Sequence, residues 1–182
     1  ASLALVTESP SAFCDCCDIF RSMERLYSKI VGMPVFVREN LRAVRSVQDV
    51  VIDPANGKVI AFAVGKGMVV TPGDVLSMKH GVLVDDFEDI IESEEVLRVG
   101  KVLKEYGVLS GKKVVGENGN AFGKISDFVV DDSVFALKKI YVSKNLLGMV
   151  HYDNRIFSAK DIVEILPDSV VVKDDARAKV AT

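Results

Sequence analysis

The chain has 182 residues, of which 49% are hydrophobic, and a formal net charge of −3 at pH 7. This length allows one or two domains with a sizeable apolar core, and the composition excludes the disordered class. Charges of both signs are interspersed without a basic patch, so the sequence gives no basis for binding DNA or RNA through phosphates. No apolar run approaches the roughly 20 residues that cross a bilayer. The sequence therefore favours a soluble cytoplasmic protein with no membrane span.

Residues 1–33 read as a lead-in followed by an amphipathic helix. From residue 11 onward, apolar side chains recur at intervals of three and four, and this spacing predicts one helix over residues 11–31. Gly32 and Pro34 would end it. We expect its apolar stripe to pack on the next domain or on the same helix of a second copy, which would form a homodimer. The stripe consists of Phe13, Cys16, Phe20, Met23, Tyr27 and Ile30.

All three cysteines of the chain, Cys14, Cys16 and Cys17, lie in this predicted helix. Such an odd, crowded set is a poor disulfide framework. Metal binding or redox sensing is the alternative, but thiolate sites usually need about four ligands, and His80 and His151 are the only histidines. On a helix Cys16 faces the apolar stripe and Cys14 points away, which favours a small buried hydrophobe. We therefore predict no metal and no other cofactor.

Residues 34–92 have the pattern of a first β-unit. Short apolar runs are separated by turn sequences, of which Pro54-Ala-Asn-Gly57 and Thr71-Pro-Gly-Asp74 are the strongest. The predicted strands cover residues 35–37, 43–53, 58–64, 68–70, 75–78 and 82–84. Residues 93–108 then form a connecting helix, with Ser93 as its cap and Gly107 as its stop.

Residues 109–175 repeat the first unit, and residues 176–182 form a tail. When the chain is shifted by 78 positions, residues 36–64 align without a gap on residues 114–142, and eight of the 29 positions are identical. The second unit also carries an insertion between Ser143 and Arg155. The identical pairs are Val37/Val115, Glu39/Glu117, Asn40/Asn118, Ala43/Ala121, Asp49/Asp127, Val51/Val129, Asp53/Asp131 and Val64/Val142.

Each unit has six short strands, and a small closed or nearly closed barrel would remove the edges of so few strands. The predicted fold class is therefore mainly β, with two small barrels in tandem, an N-terminal amphipathic helix and a connecting helix. Because one unit was duplicated, we expect the two barrels to pack face to face with pseudo-twofold symmetry.

The second unit resembles the PRC-barrel family, on the pattern Gly123-Lys-Ile-Ser-Asp127-Phe-Val-Val-Asp131 followed by Ser158-Ala-Lys-Asp161 and a final valine-rich strand. The family includes the H subunit of the purple-bacterial photosynthetic reaction centre and the C-terminal domain of a ribosome-maturation factor. The first unit resembles a degenerate copy, because Arg45 and Ser46 replace Gly123 and Lys124. The resemblance implies a fold more than a chemistry.

Acids of the first unit recur in the second, among them Asp49 as Asp127 and Asp74 as Asp161. Such recurring acids could suggest general acid–base catalysis, which uses two carboxylates with separated pKa values. A structural role is the favoured interpretation, because Asp beside turns accepts backbone N–H bonds. The resemblance implies the same, since these positions belong to the fold signature. That signature comprises Asp49, Asp53, Asp74, Gly123, Asp127, Asp131 and Asp161.

The common nucleophile, zinc-protease and phosphate-loop motifs do not occur in the sequence, so we predict no enzymatic activity and no catalytic residues. The favoured function is a non-catalytic interaction or scaffold module that binds a protein partner. An RNA-processing or ribosome-associated role, by analogy with the maturation factor, is a less favoured alternative. Metal or redox sensing through Cys14, Cys16 and Cys17 is a second less favoured alternative.

Overall fold

The computed structural model describes residues 23–39, 41–144, 155–174 and 179–180. The predictions for residues 1–22, including the three cysteines, therefore lie outside the described residues. Most of the Ser143–Arg155 insertion and part of the tail do as well. The described chain is mainly β, as predicted.

The strands and helices follow one another in an order that gives two similar halves. In the described ranges three single 3-10 turns lie between strands, over Pro72–Asp74, Phe87–Asp89 and Ala159–Asp161. The elements are β1 (Glu24–Leu26), α1 (Tyr27–Ile30), β2 (Pro34–Val37), β3 (Ala43–Ser46), β4 (Asp49–Ile52), β5 (Val59–Gly65), β6 (Met68–Val70), β7 (Val75–Ser77), β8 (Val82–Val84), β9 (Ile91–Glu92), α2 (Leu97–Glu105), β10 (Lys113–Gly116), β11 (Ala121–Asp131), β12 (Ala136–Ser143), β13 (Arg155–Ser158), β14 (Ile162–Ile165), β15 (Ser169–Val172) and β16 (Lys179–Val180).

The strands of the described residues form three sheets. In the first half the orders are β3-β2-β8-β7 and β4-β5-β6-β9, and in the second half one path runs β14-β15-β10-β11-β12-β13-β16. Within the described residues none of these sheets closes on itself by hydrogen bonds, so the closed barrels expected from the strand count are not formed.

The pairing pattern of one half recurs in the other. Strand β2 pairs antiparallel with β3 and parallel with β8, and β10 pairs antiparallel with β11 and parallel with β15. The series β4-β5-β6-β9 corresponds in the same way to β11-β12-β13-β16. The halves differ mainly in that β11 is continuous where the first half has two strands.

The first half was predicted to have one strand over residues 43–53, and this prediction is wrong at Val47 and Gln48. The backbone N–H of Val47 donates to the Met33 carbonyl at 2.9 Å, and the chain leaves the strand path there. In the second half Gly123 has φ +137°, and a Cβ on it would collide with the Ser143 carbonyl oxygen. Because Arg45 takes the aligned position, the first half cannot reproduce this close approach, and its strand is interrupted.

The N-terminal helix predicted for residues 11–31 is wrong over its described part. Residues 24–26 are the strand β1, and only Tyr27–Ile30 are helical. Strand β1 pairs with the second part of β11, where Leu26 lies opposite Val129. The backbone hydrogen bonds that β11 offers there override the helical spacing, because periodicity alone does not count long-range partners.

The connecting helix is confirmed, although it begins later than predicted. Helix α2 starts at Leu97 with Val96 as its N-cap, so Ser93 is not the cap. It ends at Tyr106, and Gly107 follows with φ +65°, the left-handed conformation that commonly terminates helices.

The two halves share one hydrophobic core. Fully buried side chains from both halves belong to the same contiguous cluster, among them Val50, Phe62, Phe128 and Ile140. A second, smaller cluster joins α2 to the outer face of β4-β5-β6 through Val51, Ala61, Val69, Val99 and Val102.

Candidate interaction site

The contact between the halves is reciprocal at the level of single hydrogen bonds. The Val59 N–H donates to the Phe135 carbonyl at 2.7 Å, and the Leu137 N–H donates to the Gly57 carbonyl at 2.8 Å. Under the shift of 78, Leu137 is the counterpart of Val59 and Phe135 is the counterpart of Gly57, so each bond is the counterpart of the other. Between them Lys58 forms a β-bridge with Ala136, its own counterpart. A residue that pairs with its counterpart marks a local twofold axis.

An aromatic contact crosses the same interface. The ring of Phe135 lies edge-on to Phe62, with centroids 6.0 Å apart. Phe135 has φ +47°, while its counterpart Gly57 has φ +68°. The backbone conformation is thus the same in both halves, and in the second half a bulky residue adopts it. Its side chain packs against the shared core, which compensates for the unfavourable φ.

The segments that precede each half are exchanged between the halves. Strand β1 adds to β11 of the second half, where Arg25 forms an ion pair with Asp132 at 2.8 Å. Helix α2, which precedes the second half, packs on the first, where Arg98 pairs with Asp53. Each half is therefore covered by the segment that leads into the other.

The signature acids Asp49 and Asp127 both lie close to Tyr27 of α1. The Tyr27 phenol hydrogen-bonds to Asp49, and the Ser28 N–H donates to Asp127 Oδ1 at 3.1 Å. Burial raises the pKa of Tyr27, and the Asp49 charge raises it further. Burial also raises the pKa of Asp49, against the effect of the Val50 N–H and Tyr27 hydrogen bonds. The cluster fastens α1 across both halves.

Asp53 and Asp131 are almost completely buried, and each holds the turn that follows it. Asp53 accepts the Ala55 N–H at 3.1 Å and pairs with Arg98. Asp131 accepts the Ser133 N–H at 2.9 Å and the Ser133 hydroxyl at 2.6 Å. Burial acts to raise the pKa of Asp131, but these bonds and Lys138 at 2.9 Å outweigh it and lower the pKa to about 2. Both carboxylates are engaged in the fold.

The acids Asp74 and Asp161, each the last residue of a 3-10 turn, also accept hydrogen bonds that hold the turn. The Thr71 hydroxyl donates to Asp74 at 2.5 Å, and the Ser158 N–H donates to Asp161 at 3.1 Å. Ser158 and Asp161 complete a capping box. These contacts support the structural interpretation of the recurring acids.

Lys112 is a buried charge that the sequence did not reveal. Its ammonium group donates to the carbonyls of Tyr106 at 2.6 Å and Leu166 at 2.8 Å, and also to that of Pro167. It therefore joins the end of α2 to the turn before β15. Burial lowers the pKa of Lys112.

Two open clefts on the outer surface are candidates for binding. The first, of about 320 Å³, is apolar and is formed by β2, β8 and the hairpin that follows β2. It is lined by Phe36, Leu41, Ser77, Lys79, His80, Gly81 and Leu83. The second, of about 360 Å³, lies at β10 and β11, and Lys113, Lys124 and Lys144 surround it.

The described residues contain neither a cluster of metal ligands nor a helix that could span a membrane. The described part of the chain contains no group of three or more His, Cys, Asp or Glu residues placed to hold a metal ion. Cys14, Cys16 and Cys17 lie outside that part, so the expectation that they hold no metal stays a prediction. None of the helices in the described ranges has the length and apolar character needed to cross a bilayer.

Comparison with known families gives one match. Residues 23–91 match the family model of the PRC-barrel domain. The match falls on the half that was interpreted as the degenerate copy, and it does not extend to residues 109–175. It also begins at Met23, so it includes β1 and α1. No curated protein matches the chain. The chain therefore contains a PRC-barrel domain over residues 23–91.

Proposed function

We propose that this protein is a non-catalytic interaction module made of two PRC-barrel units, residues 34–92 and 109–175, which binds a protein partner through its outer surface. The tandem arrangement is supported by the strand pairing that recurs in both halves and by the reciprocal hydrogen bonds at Gly57, Val59, Phe135 and Leu137. The recurring acids hold turns, so the repeated signature serves folding.

The observation that carries the proposal is the set of large apolar side chains left on the surface. Apolar patches on a folded protein mark binding surfaces more often than single exposed residues do. Here the exposed residues occur in both halves, and two of them occupy corresponding positions in β7 and β14. The exposed set is Met23, Leu41, Leu76, Phe87, Leu97, Val134 and Val163.

The test is affinity capture from a native extract, followed by purification of each captured protein and titration calorimetry with the full chain. A saturable complex of defined stoichiometry supports the proposal. If no captured protein binds after purification, the proposal fails. Leu76→Ser and Val163→Ser are matched variants, because they remove corresponding exposed side chains from the two halves without touching the core.

RNA or ribosome association is a second candidate, and the lysine-lined cleft is the feature that favours it. Lys113, Lys124 and Lys144 place three positive charges around one opening, and phosphate contacts dominate RNA affinity. Co-sedimentation with ribosomes at low salt tests this candidate. Association that is lost in Lys113→Glu and Lys124→Glu variants would support it, and the absence of association would remove it.

A further inference from the structure

Three non-glycine residues in the described part of the chain have a left-handed backbone, and for two of them the reason lies in the chain itself. Lys66, with φ +55°, lies with Gly67 in the two-residue turn between β5 and β6. Such turns require positive φ, and the charged side chain extends into water. Phe135, with φ +47°, packs against the shared core and Phe62.

Leu41 is the third, and the chain offers no such compensation for it. Its φ is +51°, and its side chain is 67% exposed. Its counterpart in the second half is Gly119, with φ +82°, so the same hairpin position is filled by the residue that adopts this backbone without strain. An apolar side chain that is both strained and exposed contributes nothing to the fold. Strain of this kind is retained where it serves a function.

The position of Leu41 indicates what that function is. Its side chain lines the apolar cleft together with Phe36 and Leu83. Gly81 also lines the cleft, and a Cβ there would come within 2.5 Å of the Pro34 carbonyl oxygen and 2.7 Å of the Phe36 ring. The cleft has a volume of about 320 Å³, which is enough for one aromatic or large aliphatic side chain.

The charges around the cleft indicate which charge the partner segment carries. Lys79 and His80 are the charged or titratable residues among those that line it, and both are basic and exposed. The hairpin itself contributes Glu39 and Arg42, one charge of each sign, and Arg38 is paired with Asp85 at 3.1 Å. The net charge at the rim is therefore positive, and it complements an acidic partner.

From these observations we infer that Leu41, Phe36 and Leu83 form a docking site for a peptide segment of another protein that inserts one aromatic or large aliphatic side chain and places acidic residues beside Lys79 and His80. The inference rests on the proposed interaction function and gives it a location and a partner chemistry. Leu41 is the anchor because its exposed side chain lines the cleft from a strained backbone.

The experiment uses the isotopically labelled full chain and three synthetic peptides, followed by amide NMR shifts. One peptide has a central phenylalanine between aspartates and glutamates, the second has the same centre between lysines and arginines, and the third is acidic with a central glycine. We expect saturable shifts at the amides of Leu41, Gly81 and Leu83 with the first peptide only.

The variant Leu41→Gly tests the anchor, because glycine suits the backbone and removes only the side chain. It should weaken binding of the first peptide by about tenfold or more, as expected for losing a buried leucine contact, without lowering the melting temperature. Lys79→Glu should also weaken it. The control Gly119→Leu places leucine at the corresponding position of the second half, and it should lower stability but leave peptide binding unchanged.

The inference is overturned if the acidic phenylalanine peptide produces no saturable shifts, if the basic peptide binds equally well, or if Leu41→Gly binds like the wild type. It is also overturned if these amides shift with protein concentration alone, because a second copy would then occupy the cleft. A purified partner from the capture experiment that binds Leu41→Gly with full affinity would overturn this site while leaving the proposed function intact.

Discussion

The contact between Phe135 and Phe62 gives the sharpest test of how the two halves are joined. Phe135→Gly should destabilise the protein by about 1–2 kcal/mol. Loss of the partly buried Phe135 side chain and of its aromatic pair removes about 3 kcal/mol. Relief of the left-handed backbone at φ +47° returns about 1–2 kcal/mol.

The assay is urea unfolding at 25 °C, with the free energy of unfolding extrapolated linearly to water. A double-mutant cycle with Phe62→Leu should give a coupling energy of about 0.5–1.5 kcal/mol, because the two rings are in direct contact. Leu41→Gly is the matched control. It makes the same change at φ +51° with the side chain exposed, so it should be neutral or stabilising by up to about 1 kcal/mol.

This reasoning is refuted if Phe135→Gly is as stable as the wild type, or if its effect is additive with that of Phe62→Leu. It is also refuted if Leu41→Gly destabilises the protein as much as Phe135→Gly, since the two positions would then not differ in packing.

Three further predictions, made with four substitutions, test the buried charges and the close approach of β11. In urea unfolding, Arg98→Met should lower the free energy of unfolding by about 2 kcal/mol, because it leaves the buried Asp53 carboxylate unpaired. Asp53→Asn keeps the acceptor for the Ala55 N–H and should cost about 1 kcal/mol or less. Equal losses in the two variants would argue against a buried unpaired charge. The pKa of Asp131 in the folded protein is about 2, below the ordinary value of 3.8 for an aspartate. Its contribution to stability is therefore complete above pH 3.8 and is lost as the pH falls toward 2, and thermal unfolding of Asp131→Asn should lack this part of the acid dependence. Gly123→Ala should lower stability by about 2 kcal/mol or more, because its φ of +137° and the nearby Ser143 carbonyl exclude a Cβ; an unchanged melting temperature would contradict the collision.

Elements that depend only on neighbouring residues could be predicted from the order of the amino acids. The alternation of apolar residues and the turn residues between them place the strands of both halves, and the shift of 78 identifies their correspondence before any coordinate is known. Gly107 ends α2 as predicted, because a left-handed residue at a helix terminus is a local requirement. The role of the recurring acids in holding turns also follows from their position next to those turns.

The tertiary structure alone decided the features that depend on partners far away in the chain. Residues 24–26 have helical spacing but form a strand, because β11 offers backbone partners more than 100 positions away. The partners of the buried Asp53 and Lys112 could not be predicted, since Arg98 and the Leu166 carbonyl lie about 50 positions away along the chain and come close only in the folded protein. Leu41 and Phe135 each stand where the other half has glycine, and the sequence shows both replacements equally. Only packing separates them, because Phe135 contacts the core and Leu41 extends to the surface.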